Sequence, residues 1–429
     1  MKQFLPFFFL LFSLLSASIY GADNVVLITF DGLRWQEVFS GIDENLATHQ
    51  DYSPQSDRLM QRFWNGSANG RAEALLPFIH QTVFAQGSYA GDRRDNSCAA
   101  VSNDWYFSYP GYSEILTGVV NPSIDSNSKV PNTEATFLEL LESNSLYSER
   151  TAAFASWDVF PFIFNVERSA VHVNAFSTEA NPADNHEIFL NKLQNDIPPP
   201  WSTVRNDAFT HQYALSYLRR EKPKVLFISY GETDDFAHDG KYDEYIFAAN
   251  RTDRFIKEIW STLQSIDQYR DNTVLFITVD HGRGEEPLQS WMHHSSLQAT
   301  TRANSGLAQY TEGVVGSEAT WFAVMGPGVA RNGQIQTDAG CITSNRIAAT
   351  LMEFLGEDYR DYNPAMGAKL IKEVEQLQKD LASGKANSFT GPIYDQKGNV
   401  IVAAGETADD GLLAGMSVYV KGVEGDIPQ

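Results

Sequence analysis

Three short apolar runs constrain the fold more than any other feature of the chain: Asn24 to Phe30 (NVVLITF), Lys224 to Tyr230 (KVLFISY) and Thr273 to Val279 (TVLFITV). Each is rich in β-branched and aromatic residues, almost continuous, and soon followed by an aspartate. Runs that are apolar on both faces suit central strands of a parallel sheet covered by helices on either side. A fourth run, Thr320 to Met325 (TWFAVM), stops at Gly-Pro-Gly. Between them lie helix-like stretches, among them Thr136 to Ser143, Ala208 to Arg220, Tyr245 to Ile266 and Ser344 to Leu355. Strands alternating with helices predict an α/β fold with a doubly wound, mainly parallel sheet and helices on both faces. In such sheets ligands bind beyond the carboxyl ends of the strands, which is where Asp31, Asp234 and Asp280 fall. Asp43 to Arg71 and Gln298 to Gly316 are polar and aperiodic, and predict long loops able to border a site.

The flanks read differently from this body. Residues 1–22 place one Lys before an apolar run from Phe4 to Leu15 and then small residues from Ser16 to Ala22, the pattern of a secretory signal peptide cleaved near Ser18 to Ala22. A membrane span needs about 20 apolar residues, more than this run supplies, and no Cys follows it to take a lipid. The expectation is a protein of the periplasm or the exterior, with no membrane span after cleavage and a body from 23 to 378. Residues 379–429 change character and read as a small C-terminal appendage. Two cysteines, Cys98 and Cys341, permit one disulfide or two buried thiols, but no four-thiolate zinc site. The formal net charge of -22 argues against a broad nucleic-acid surface. An anionic substrate then needs local positive charge, which metal ions supply.

The chemistry-bearing residues stand in short contexts: Asp31 in TFDGLRW, Asp234 and His238 in ETDDFAH, Asp280 and His281 in TVDHGRG, His293 and His294 in SWMHHS. Carboxylate oxygens and imidazole nitrogens are what zinc and similar ions take as ligands. Taken singly, a strand-end Asp is more often a turn former or helix cap. The four-residue spacing of Asp234 and His238 can bring both side chains to one face of a helical turn. Strand ends of one parallel sheet converge, so the set offers enough ligands for two ions. Ser108, in FSYPGYSEILTG, falls at or just before a helix N-terminus if Pro110 and Gly111 form a turn. There the helix dipole favours an anionic phosphate, and metal coordination can activate a serine hydroxyl. An N-cap role is the structural alternative.

On these motifs the sequence resembles the alkaline phosphatase superfamily, most closely the branch of type I phosphodiesterases and nucleotide pyrophosphatases, over roughly Asn24 to Gly356. Asp31-Gly32, then Ser108 with Tyr109-Pro110 and Thr117-Gly118, then Asp234 and His238, then Asp280-His281-Gly282, then a last histidine follow the order of that branch. The resemblance implies that Asp31, Ser108, Asp280 and His281 hold one divalent ion, and Asp234, His238 and either His294 or His293 the other. His294 is preferred, and zinc is expected, with manganese as the alternative. The last family histidine precedes Gly, whereas Ser295 follows here. The serine motif also approaches the sulfatase pattern, with Tyr112 where that pattern has Arg. Asn127 is a donor to a phosphoryl oxygen by the same resemblance, or a turn residue. Trp35, Arg34, Trp157 and Asp158 are candidates to line the pocket. The appendage, from SFTGPIYDQKG onward, resembles the end of the basic membrane protein family of nucleoside-binding lipoproteins.

The expected activity is hydrolysis of a small phosphate ester, diester or monoester, through a phospho-serine. The alternatives are a sulfatase-like or phosphoglycerate-mutase-like member of the same superfamily and, from another class, a non-catalytic binding protein.

Overall fold

The computed structural model describes residues 21–303, 305–337, 340–362, 392–395, 397–403, 406 and 408. Apart from Gly21 and Ala22, the expected signal peptide lies outside the described residues, as does most of the expected appendage. The chain divides into two compact units, Met1–Asp358 and Tyr359–Gln429. In the second, the described elements are a short helix, Tyr359–Tyr362, and an antiparallel pair, Ile393–Tyr394 with Val400–Val402.

The first unit is built on strands β1 (Asn24–Phe30), β2 (Ser88–Ala90), β3 (Ala99–Ala100), β4 (Thr151–Ala155), β5 (His172–Ala175), β6 (Val225–Tyr230), β7 (Thr273–Val279), β8 (Ala319–Thr320), β9 (Phe322–Met325), β10 (Gly333–Gln334) and β11 (Ile342–Thr343). Eight of them form one sheet in the order β10-β2-β9-β7-β1-β6-β4-β5. β7, β1, β6, β4 and β5 are mutually parallel, and β9 pairs antiparallel with both β7 and β2. Every residue of β1, β6 and β7 is buried, as the doubly apolar runs require. Helices Asp207–Glu221 and Tyr242–Ser265 contribute Tyr213, Leu218, Tyr245, Ile256 and Leu263 to the same core. Each such side chain, fully buried, contributes about 1.5–3 kcal/mol.

Register positions the site. Phe30 stands opposite Tyr230 on one side and Val279 on the other, so Asp31 and Asp280 leave their strands level with each other. The Asp31 N–H donates to the Tyr230 carbonyl at 2.9 Å, which keeps this end of β1 in the ladder.

The structure departs from the sequence reading in three places. The run TWFAVM is split: β8 joins a small sheet ordered β11-β3-β8, and only β9 enters the main sheet, running against its neighbours. The polar segment Asp43 to Arg71 carries helices Glu44–Thr48 and Ser56–Phe63 and the first half of Ala68–Leu75; the first and last are started by Asp43 and Ser67, whose side chains accept from Leu46 and Gly70 N–H. Pro110 and Gly111 belong to helix Ser108–Thr117 instead of a turn before it. Proline is tolerated there because a first-turn N–H has no partner inside the helix.

Gly111 has a packing reason. A Cβ at this position would lie 2.4 Å from the Asp280 carbonyl oxygen, so only glycine lets helix Ser108–Thr117 come this close to the end of β7. Gly111→Ala is therefore expected to cost about 1–3 kcal/mol through forced separation. The shift in denaturant midpoint measures it, and an unchanged midpoint would mean that helix and strand part freely.

Cys98 and Cys341 form a disulfide beside the β3–β11 pair, where Ala99 stands opposite Ile342. Protein denatured without reductant should show no titratable thiol, and two thiols would refute the pairing.

Candidate metal centre

Asp31 and Asp280 extend β1 and β7, while helix Glu232–His238, directly after β6, carries Asp234 and His238. A reciprocal clamp fixes the start of that helix. Asp207 accepts from Gly231 N–H (2.8 Å) and Glu232 N–H (3.1 Å), and Glu232 accepts from Asp207 N–H (3.1 Å). A second knot ties the loop after Asp31 to the loop after His281. Arg34 pairs with the buried Glu37, which also accepts from Tyr242 and Tyr245, and Arg34 Nη1 donates to the Gly284 carbonyl at 3.1 Å.

Among the described residues, two groups bring ligand atoms within 4.8 Å of one another: Asp31, Asp280 and His281, and Asp234, His281 and His294. His281 Nε2 lies 3.5 Å from Asp31 Oδ1, 3.3 Å from Asp280 Oδ2, 3.9 Å from Asp234 Oδ1 and 3.2 Å from Ser108 Oγ. His281 Nδ1 faces the Gly282 carbonyl at 2.9 Å, and His294 Nδ1 faces the Tyr106 carbonyl at 2.7 Å. A carbonyl accepts only from a protonated nitrogen, so both rings turn an Nε2 lone pair toward the carboxylates, the form a metal ligand needs. His238 Nε2 is 3.2 Å from Asp234 Oδ2, and the His238 and His294 ring centres lie 5.1 Å apart. His293 is turned toward Tyr310, its ring 6.4 Å from that of His238, and neither His238 nor His293 is part of either group.

The electrostatics agree with an ion-binding role. Burial first, then Asp280, Asp234 and Asp235, pushes the Asp31 carboxyl well above its ordinary value, and burial followed by Asp234 does the same to Asp280. Burial lowers His281 to about 4 against the pull of Asp234, and it holds His294 well below the ordinary histidine value with His281 adding to it. Neutral imidazoles beside crowded carboxylates bind a cation with release of protons. Asp31 Oδ1 and Asp280 Oδ2 are buried without a hydrogen-bond partner among the described residues. The other oxygens are engaged: Tyr112 donates to Asp31 Oδ2 at 3.0 Å, and Gly32 N–H to Asp280 Oδ1 at 3.1 Å. The donor set, its tautomers and its two orphaned oxygens fit divalent ions.

Ser108 is the first residue of its helix, buried beside His281. Asn127 Oδ1 accepts from Tyr109 N–H at 3.0 Å, which sets its side chain against the same helix start. Trp157 and Asp158 follow β4, with Asp158 paired to Lys129 at 2.6 Å, and Trp35 donates to Glu285 at 3.2 Å. Sequence reasoning missed Arg283, whose guanidinium pairs with the Asp234 carboxylate. Its position two residues after His281 was the only signal, and its burial was not legible. It also missed the Tyr112 hydroxyl on Asp31.

Two ligand-atom clusters that share His281 and a buried serine, at the carboxyl edge of a doubly wound sheet, define a candidate metal centre in an α/β fold. The Metalloenzyme superfamily pattern matches residues 117–356, more than half of the chain, and the chain belongs to that alkaline-phosphatase-like superfamily. Members of that superfamily are metalloenzymes acting on phosphate or sulfate esters, and the candidate ligand clusters of this chain support divalent metal use. Asn127, Asp234, His238, Asp280, His281 and His294 fall inside the matched span, while Asp31 and Ser108 precede it. Similar curated proteins include a purine-binding protein of Brucella abortus, 47% identical over 58 residues (14% of this chain, 17% of that protein). Another is the 2,3-bisphosphoglycerate-independent phosphoglycerate mutase of Gracilaria tenuistipitata var. liui, 29% identical over 90 residues (21% of this chain, 16% of that protein). The chain thus spans less than a fifth of the length of these relatives. The first has a matched length that fits the C-terminal resemblance. Among solved structures, the lipoteichoic acid synthase LtaP of Listeria monocytogenes is similar at TM-score 0.49 and 11% identity, over 80% of this chain and 74% of that one. Murine ectonucleotide pyrophosphatase/phosphodiesterase 5 is similar at TM-score 0.45 and 10% identity, over 78% and 95%.

The placement of the two adjacent histidines generates a test. His294→Ala is expected to weaken zinc binding by about a hundredfold or more, as loss of a direct ligand should, and His293→Ala far less. Titration against a chromophoric chelator measures both, and equal losses would make His293 a ligand as well.

Proposed function

We propose that this chain is an exported phosphoric ester hydrolase, acting on a small diester or monoester with two divalent ions, zinc or manganese, and Ser108 as nucleophile. One observation carries the reading. Two buried carboxylate oxygens, Asp31 Oδ1 and Asp280 Oδ2, have no hydrogen bond and converge on His281 Nε2, which faces Ser108 Oγ at 3.2 Å. Leaving such oxygens buried and unpaired costs several kcal/mol, which an ion at this point would offset.

Asp31, Ser108, Asp280 and His281 would hold one ion, and Asp234, His238 and His294 the other. When bound, the ions supply positive charge to the substrate oxygens and lower the pKa of the serine hydroxyl. The remaining chemistry falls to the protein. Helix Ser108–Thr117 directs the positive end of its dipole at the incoming phosphoryl group. Ser108 Oγ gives its proton to solvent and forms a bond to phosphorus while the bond to the leaving oxygen breaks, and that oxygen takes up a proton and departs as an alcohol. Water then cleaves the Oγ–P bond, its oxygen staying on phosphorus and one of its protons restoring the serine hydroxyl, and the phosphate product leaves. Asn127, its oxygen held by Tyr109 N–H, has its amide N–H groups left to donate to a phosphoryl oxygen. A chain of net charge -22 repels a free anion, so attraction for the substrate must be local to the centre. Export rests on the N-terminal residues. No described helix is long and apolar enough to cross a membrane.

Ser108→Ala is expected to lose several orders of magnitude in rate while still binding metal through Asp31, Asp280 and His281. A nitrophenyl phosphate monoester and the matching bis-ester, assayed in parallel, give the preferred class. Chelation should abolish turnover and zinc or manganese restore it. Near-normal turnover of Ser108→Ala with its ions bound would reduce Ser108 to a helix-start residue and end the covalent reading.

A further inference from the structure

Arg283 is the one strong cation built into the candidate centre among the described residues, and the reaction proposed above gives it no part. Its side chain is buried, with 1% of the residue accessible. Nη2 pairs with Asp234 Oδ1 and donates to the Asp234 carbonyl at 3.1 Å, while Nη1 donates to the Met292 carbonyl at 2.8 Å. Met292 is followed directly by His293 and His294, so one guanidinium joins the segment carrying Asp234 to the segment carrying His294. Its third face lies against Gly32, where a Cβ would meet Arg283 Nε at 2.8 Å and Asp234 Oδ1 at 2.9 Å; Gly32, at φ +59°, leaves that space open. Arg283 Nε is buried there without a hydrogen-bond partner.

The pairing is uneven. Three carboxylates meet at this point, yet among the described residues Asp31 and Asp280 have His281 alone as an ion-pair partner, while Asp234 has the guanidinium on the same Oδ1 that lies 3.9 Å from both His281 Nε2 and His294 Nε2. Arg34, the other buried arginine nearby, is occupied by Glu37 and cannot substitute.

We propose that Arg283 is a resident counter-cation of the metal centre, a positioning residue that neutralises Asp234 and holds it in place before an ion arrives and competes with that ion for Oδ1. The two ion sites are then unequal. The one at Asp31, Asp280 and His281 fills first, and the one at Asp234 and His294 fills more weakly, because its carboxylate already has a partner. This inference rests on the metal-dependent reading of the same centre.

The test uses the full chain, stripped of metal and titrated with zinc or manganese, read by chelator competition and by the melting temperature with and without ions. Wild type should show two separated affinities. Arg283→Met should tighten the weaker one by about tenfold or more, the size expected when a close competing charge is removed. It should also melt well below wild type when metal-free and close to it when loaded. Arg283→Lys keeps the charge and should resemble wild type in both. A merely structural arginine would instead lower both melting temperatures alike and leave the affinity unchanged or weaker, and that result overturns the proposal. Should Arg283→Met fail to fold without metal, Arg283→Met combined with Asp234→Asn is read, because removing the orphaned carboxylate must restore stability. A double variant no more stable than Arg283→Met rejects the proposal. If wild type takes up no divalent ion, the metal-dependent reading falls, while the metal-free comparison of the single and double variants still decides the Arg283–Asp234 pairing.

Discussion

Mutual repulsion among Asp31, Asp234 and Asp280 is the constraint to which the rest of the centre responds. Parallel pairing of β1 with β6 and β7 brings the strand ends level, and whatever leaves those ends must share one small volume. The structure answers with local donors and cations. Tyr112 and Gly32 N–H satisfy one oxygen each on Asp31 and Asp280, Arg283 takes Asp234, and the two remaining oxygens are left for ligands from outside the chain. An arrangement of this kind is costly as a fold element and is explained by what it can bind.

Holding the charges in place falls to groups further out. The exchange of hydrogen bonds between Asp207 and Glu232 fixes the helix that presents Asp234, and the buried Arg34–Glu37 pair with Tyr242 and Tyr245 fixes the two loops that leave β1 and β7. Gly111 and Gly32 contribute by what they lack: at either position a methyl group would strike the centre or its support. The site is therefore rigid because helix, strand and loop are each pinned separately.

Much of this was legible in the sequence, for physical reasons that differ by residue. The three doubly apolar runs could only be buried strands, and the aspartates after them had to emerge at one edge of the sheet. His294 could be preferred over His293 only by analogy, because adjacent histidines have the same composition signal; what separates them is the Tyr106 carbonyl, a partner nearly two hundred residues away in the chain. The split of TWFAVM between two sheets was hidden because a run of this length reads alike in either direction of pairing. Arg283 was invisible as a site residue, since a charged side chain after a turn is ordinarily solvated, and only the tertiary fold reveals that Asp234, Met292 and Gly32 enclose it. The helices between Asp43 and Arg71 were lost in a polar stretch whose few apolar positions, such as Leu46, Leu59 and Phe63, are spread over separate short elements.

The disulfide has a topological meaning beyond local bracing. Cys98 and Cys341 close a covalent loop of the chain that contains Ser108, Asn127, Asp234, His238, Asp280, His281 and His294, with Asp31 alone outside it. A single peptide-bond cut anywhere between the two cysteines, including one beside the exposed Glu312 or Val315, therefore yields no detached fragment. The severed ends remain parts of one covalently connected molecule, its serine and imidazoles still joined through the disulfide.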